Sequence, residues 1–314
     1  MYYLDMKTIK LISIFIFLIL SKNQANSIEN KIILKIDNEI ITSLDVKKEA
    51  RYLITLNPNT KNLSKDQIYL ISKNSLVREK IKKKEILKNF EIINIEQDIL
   101  EELIKNMFDK LNINSRSEFI NYLNKNKLTI DHVEEKIKME VMWNRLVYLK
   151  FKSKIKINSE AIKKEILKNQ KTGSKKYFLQ EILFDIKKDE NIQKKNNLIQ
   201  DSINKQGFEK TALLYSISST SQNNGNIGWI SANSLNKNIY DKIKYLKAGE
   251  ISKPITIPGG FLILKILEMK IVQEEIDVEK ELSKVIKNKT NSQLNQYSLI
   301  FYNKIKKDIQ IDEL

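Results

Sequence analysis

Apolar positions recur every three to four residues over most of the chain, and give way in one central window to short apolar runs set between turn residues. In "IEQDILEELIKNMFDKL" they fall at Ile99, Leu100, Leu103, Ile104, Met107, Phe108 and Leu111, one face of an α-helix. In "LTIDHVEEKIKMEVMWNRLVYL", Val133, Ile137 and Val141 are four apart, Leu146 and Leu149 extend the stripe, and Thr129 is placed to cap it. Leu294, Tyr297, Phe301 and Ile305 predict a last amphipathic helix. Near the start, "KIILKIDNEIITSLDVKKEA" predicts two short strands about an Asp37-Asn38 turn, then a helix capped by Thr42 or Ser43.

The seven glycines all lie between Gly173 and Gly260, and two of the three prolines share that window. Glycine and proline punctuate turns, so the strand-containing part is expected here. "KYFLQEILFDI" predicts a central strand and "ENIQKKNNLIQDSINKQG" a helix ending at Gly207. "FEKTALLYS" follows as a short helix, and "NNGNIGWIS" as a turn running into a short strand. "NKNIYDKIKYLKAGE" predicts a helix stopped at Gly249, and "GGFLILKILEM" a closing strand. The fold class is therefore α+β: a mostly helical chain with a small antiparallel sheet domain set into it.

Composition narrows the chemistry. The 314 residues include 41% apolar and 30% charged positions, enough for packed cores. The net charge of +16 favours acidic partners. Its lysines are spread over every helix rather than gathered in an arginine-rich stripe, so no nucleic-acid partner is expected. Lys7 and Lys10, the apolar run Leu11 to Leu20, and Ala25-Asn26-Ser27 predict an export signal over residues 1–27. The run is about half the ~20 residues that a membrane span needs, so no stable span is expected after cleavage. With no cysteine and one histidine, His132, common zinc sites and Cys-His nucleophiles are excluded, and no metal or cofactor is expected. His132 falls in the first turn of a predicted helix and is expected at the surface. Glu181 is expected to be a strand-end charge paired with a lysine; buried instead, it could act as a general acid or base. The glycines of "NGNIGW" lack phosphate-loop spacing. The terminal "IDEL" departs from a retention signal at Ile311.

Five stretches, "LQEILF", "FEKTALLYS", "NGNIGW", "LKAGEISKPI" and "GGFLILKIL", stand in order over about ninety-five residues. In that order they resemble the landmarks of the parvulin family of peptidyl-prolyl isomerases. The flanks "IILKIDNEIITSLDVKKEARYL", "LVREKIKKKEIL" and "SEFINYLNKNKLTIDHVEEKIKMEVMWNRL" resemble the SurA-like periplasmic chaperone branch of that family. The resemblance implies a helical chaperone core over 28–173, a parvulin-like (PpiC-type) domain over 174–270, and a C-terminal helical segment over 271–314 that returns to complete the core.

The resemblance also assigns site positions. The family's two histidines fall on Glu181 and Leu262, and its Cys or Asp position falls near Ser218, so all three are substituted. Leu235 and Ile239 fall where the family lines its proline pocket, and Trp229 and Phe261 are further candidates for peptide contact. The implied function is ATP-independent chaperoning in the periplasm of unfolded exported proteins, nascent outer-membrane polypeptides among them. The alternative it implies is an active prolyl isomerase. Turning an X-Pro bond crosses about 18–20 kcal/mol and needs an apolar pocket plus polar groups that favour the twisted amide, with no covalent step.

Overall fold

The structure, a computed structural model, describes residues 30–170, 174–186, 190–272 and 277–314. The export-signal positions lie outside the described residues. Strands β1 (Ile32–Ile36) and β2 (Glu39–Thr42) form a hairpin, and Asp37 turns it at φ 49°. Helix α1 (Ser43–Leu56) starts on Thr42, whose hydroxyl accepts from the Asp45 amide while the Asp45 carboxylate accepts from the Thr42 amide. The long α2 (Lys65–Leu87) begins on the same kind of box, with Ser64 and Gln67. Helices α3 (Gln97–Lys110), α4 (Arg116–Lys125) and α5 (Ile130–Phe151) follow, the last capped by the Thr129 hydroxyl. Their apolar stripes meet in one core around Ile104, Phe119, Leu123, Val133 and Trp143, all fully buried.

Helix α6 (Ser159–Gln170) leads to β3 (Ser174–Phe184). Helices α7 (Ile192–Gln206) and α8 (Phe208–Tyr215) follow, divided by Gly207 at φ 89°. Then come β4 (Asn226–Ser231), α9 (Lys237–Ile243), β5 (Ile255–Ile257) and β6 (Gly260–Val272). The antiparallel sheet order is β4-β3-β6-β5. Alternation sorts its faces. Ile182, Phe184 and Ile263 pack under α7 and α8, whereas Tyr177, Leu179, Leu262 and Leu264 face the other way, with Ile239 and Ile243 of α9. Helix α9 ends at Ile243 rather than at Gly249 as the pattern predicts. The Gly249 amide donates to Ile266 O at 2.7 Å and the Ile266 amide to Glu250 O at 3.0 Å, which draws the chain onto β6 instead.

The 30-residue α10 (Val278–Lys307) packs against α5 and α6. Phe301 stacks on Trp143 at 5.5 Å between centroids and Tyr297 on Phe151 at 5.0 Å, while Trp143 Nε1 donates to Ser298 Oγ at 2.8 Å. After α10 the last strand, β7 (Ile311–Glu313), pairs with β1, giving a sheet β2-β1-β7. Residues Ile32–Leu314 form one unit. Polar contacts tie the β4-β3-β6-β5 domain to the helices. Asn57 Nδ2 donates to Gln222 O at 2.5 Å, Gln67 Nε2 to Gln206 Oε1 at 2.9 Å and Lys289 Nζ to Leu235 O at 3.1 Å. No described helix is long and apolar enough to cross a membrane.

His132 departs from its expected surface position. Its ring is half-buried, set edge-on to Tyr52 at 5.5 Å, and its Nε2 has no partner among the described residues. Tyr52 comes from α1, so the helix pattern around His132 could not reveal it. Burial first, then Lys48 and Lys136, pushes its pKa down to about 4. The unfolded chain, with a histidine near 6.5, binds the proton earlier, so stability is full above pH 6.5 and falls as pH drops from there towards 4. Solvent screening of a half-buried ring limits the loss to about 1–2 kcal/mol. As the only histidine, its NMR titration is unambiguous. A midpoint near 6.5 in the folded protein would refute the buried placement.

Candidate functional site

The face of the β3–β6 sheet that turns away from α7 and α8 floors a cavity of about 630 Å³. Leu179, Leu183, Leu235, Ile239, Leu262 and Leu264 supply the apolar floor. These residues converge because Glu181 pairs with Leu264 and Leu183 with Leu262 across two antiparallel strands, which sets alternate side chains of both strands on one face. Phe261 neighbours Leu262 in sequence and therefore points to the opposite face, where it stacks on Phe184 at 5.6 Å. Trp229 pairs with Phe178, stacks on it at 5.4 Å, and carries Lys270 Nζ 4.3 Å above its ring. Leu235 and Ile239 thus stand in the cavity, whereas Trp229 and Phe261 do not line it.

Glu181 is the titratable group on this floor. Expected at a strand end with a lysine partner, it sits inside β3 and is held by hydroxyls. Ser218 Oγ donates to its Oε1 at 2.5 Å and Thr220 Oγ1 at 2.8 Å. The loop after α8 brings both hydroxyls there. Ile217 donates to Leu183 O at 2.7 Å, and Asn224 and Gly225 turn the chain back at φ 58° and 74°. The Gly225 carbonyl then accepts from the Glu181 amide at 2.7 Å. Burial raises the Glu181 pKa, and the two donated hydroxyl bonds only partly offset that. The raised pKa marks Glu181 as a carboxyl perturbed by its burial inside the cavity floor.

The opposite wall comes from the helices. Glu49, 1% exposed, accepts from Ser75 Oγ at 2.7 Å and from Lys136 Nζ, which also reaches Glu79. Burial acts against the Lys136 charge, but the two carboxylates outweigh it and hold its pKa above the ordinary lysine value. Lys82 pairs with Glu140 at 2.7 Å. Helix α10 adds amides and hydroxyls, among them Asn288, Asn291, Ser292 and Asn295. Helix periodicity could not single these residues out, since each reads as part of a solvated face.

Residues 179–268 match the family model described as "Rotamase: PPIC-type PPIASE domain". The chain is 25% identical over 214 residues to Chaperone SurA of Pseudomonas putida, covering 64% of this chain and 50% of that protein. It is 29% identical over 116 residues to Chaperone SurA of Pseudomonas aeruginosa, covering 35% and 28%. The matches thus span half the length of these relatives or less. A solved SurA-like chaperone structure of Campylobacter jejuni, reported for PEB4 and Cj1289, aligns over 91% of this chain and 99% of its own, at 14% identity and a TM-score of 0.37. The chain is thus similar to SurA chaperones over part of their length, and its residues 179–268 match the PPIC-type domain.

Proposed function

We propose that this protein is an ATP-independent periplasmic chaperone that holds unfolded exported polypeptides, outer-membrane protein precursors among them. The observation that carries the reading is the cavity: an apolar floor from a parvulin sheet facing a polar helical wall, with about 630 Å³ between them. That volume takes a few residues of extended chain, and the mixed lining suits backbone amides beside apolar side chains. The +16 charge adds long-range attraction to acidic chains. In this reading residues 1–27 are an export signal, 28–173 with 271–314 make the holding core, and 174–270 are the parvulin domain. The test is light scattering as an unfolded outer-membrane β-barrel protein is diluted from urea at about 1 μM. Equimolar chaperone is expected to cut aggregation by more than half, and Leu235→Asp, which sets an unpaired carboxylate on the floor, to abolish most of that effect. Unchanged aggregation with the wild-type chain would sink the proposal.

The Glu181–Ser218–Thr220 cluster beside Leu235, Ile239 and Leu262 supports a second reading, prolyl isomerisation. The floor would seat the proline ring, and the polar Glu181–Ser218–Thr220 cluster would stand beside the amide as it twists and loses conjugation. A proline-containing tetrapeptide would turn over well above background, and Leu235→Ala or Ile239→Ala would remove that turnover. Background rates in the wild-type chain would leave the holding role alone.

A further inference from the structure

Arg78 stands where the main cavity meets a second one of about 260 Å³. Its side chain walls both, together with Tyr52, Ser75, Ser219 and Ser221. Every carboxylate on the helical wall near it already has a cation: Glu49 and Glu79 share Lys136, and Glu140 has Lys82. Glu181, on the facing floor, is taken up by two hydroxyls. Among the described residues the Arg78 side chain makes no ion pair and no hydrogen bond. Burial lowers its pKa, yet a guanidinium starts so high that it stays charged. A half-buried cation without an ion-pair partner is poorly compensated, and its planar fork of five N–H donors matches a carboxylate two bonds at a time.

We propose that Arg78 anchors the side-chain carboxylate of an Asp or Glu in the bound polypeptide, while an apolar residue of the same segment rests on Leu235, Ile239 and Leu262. The inference rests on the reading of the cavity as a polypeptide site. A space of about 630 Å³ is roughly 10 Å across, and extended chain advances about 3.3 Å per residue, so the acidic and apolar residues stand one to three positions apart. An internal side chain is favoured over a chain terminus because the two cavities share the Arg78 wall. Extended chain can run past the guanidinium rather than stop at it.

Fluorescence anisotropy with the full chain at physiological salt and pH 7 tests this. The probes are two labelled, end-blocked eight-residue peptides that differ only in Glu or Gln two positions before a Phe-Pro pair. The Glu peptide is expected to bind about tenfold more tightly. Arg78→Met should bring the two within about twofold of each other. Arg78→Lys, which keeps the charge but not the fork, should leave about threefold. Lys110→Ala, in the second cavity, should leave the tenfold preference in place. Equal binding by the wild-type chain, or a preference that survives in Arg78→Met, overturns the assignment while leaving the cavity reading standing. Should Arg78→Met not fold, an undiminished tenfold preference in Arg78→Lys overturns it equally. Failure of both peptides to bind overturns both readings. A Gln peptide with a free C-terminal carboxylate should gain less than twofold, and a tenfold gain there would refute the internal side chain as ligand.

Discussion

Replacing Lys136 with methionine is expected to destabilise the chain by about 3–5 kcal/mol, read as a lowered midpoint in urea with an unchanged slope. The magnitude follows from what is left behind. Glu49 is 1% exposed and would keep only the Ser75 hydroxyl, so its carboxylate would be stranded in the helical core. Glu79 would lose the same ammonium, and the Tyr52 ring would lose the cation 5.0 Å above it. Removing both charges is a different matter. Glu49→Gln combined with Lys136→Met leaves no orphan and is expected to regain more than half of the loss, because a buried pair contributes little net stability over a neutral replacement. The pH dependence has a definite sign. Lys136 has its pKa raised by folding, so its contribution is complete below the ordinary lysine value near 10.5 and fades only as pH climbs above it. A loss below about 1 kcal/mol for the single variant would mean that cavity water already screens the pair.

The sequence made local structure legible and left long-range placement hidden. Thr42 and Thr129 announce their helices because a cap and its partner amides lie within three residues. The apolar and aromatic runs in "KYFLQEILFDI" and "GGFLILKILEM" announce β3 and β6, because both faces of these strands are packed in apolar cores. β5 and β7 are three residues each, too short for any period to register. α6 escaped notice for a different reason: its buried side is little more than Ile162 and Ile166, which pack with Val285 of α10 from more than a hundred residues away. The site divides along the same line. Ile239 is placed by a short helix beside the sheet, Leu235 by the turn just before it, and Leu262 by its position in β6, all local features that a family pattern records. The hydroxyl partners of Glu181 are 37 and 39 residues distant. Arg78 lies in the basic stretch "LVREKIKKKEIL", where every lysine around it reads as a solvated face. Only the packing of α2 against α8, which sets Arg78 on the cavity wall, separates that one cation from its neighbours.

Gly225→Ala is expected to destabilise the parvulin domain by about 3 kcal/mol or more, while Gly228→Ala, three residues on, costs only about 1–2 kcal/mol. Both glycines have positive φ, 74° and 87°, so a side chain strains the backbone at either by about 1–2 kcal/mol. Their surroundings differ. A Cβ at Gly228 meets nothing within 4 Å, whereas one at Gly225 falls 2.3 Å from the Glu181 carbonyl oxygen and 3.1 Å from Ala212 Cβ. Neither neighbour is a flexible side-chain end, so the turn itself must move. Moving it breaks the 2.7 Å bond from the Glu181 amide to Gly225 O and draws Ser218 and Thr220 away from the carboxylate. Two tryptophans report the two regions separately: Trp229 lies in β4, and Trp143 is fully buried among the helices. In single-tryptophan backgrounds, the Trp229 transition of Gly225→Ala should move to lower urea more than the Trp143 transition does. The Glu181 carboxyl, relieved of its two hydroxyl donors, should titrate higher still, since those bonds are what hold it down against burial. Equal losses in the two glycine variants would show that the turn yields without cost, and the arrangement around Glu181 would then owe nothing to the close approach at Gly225.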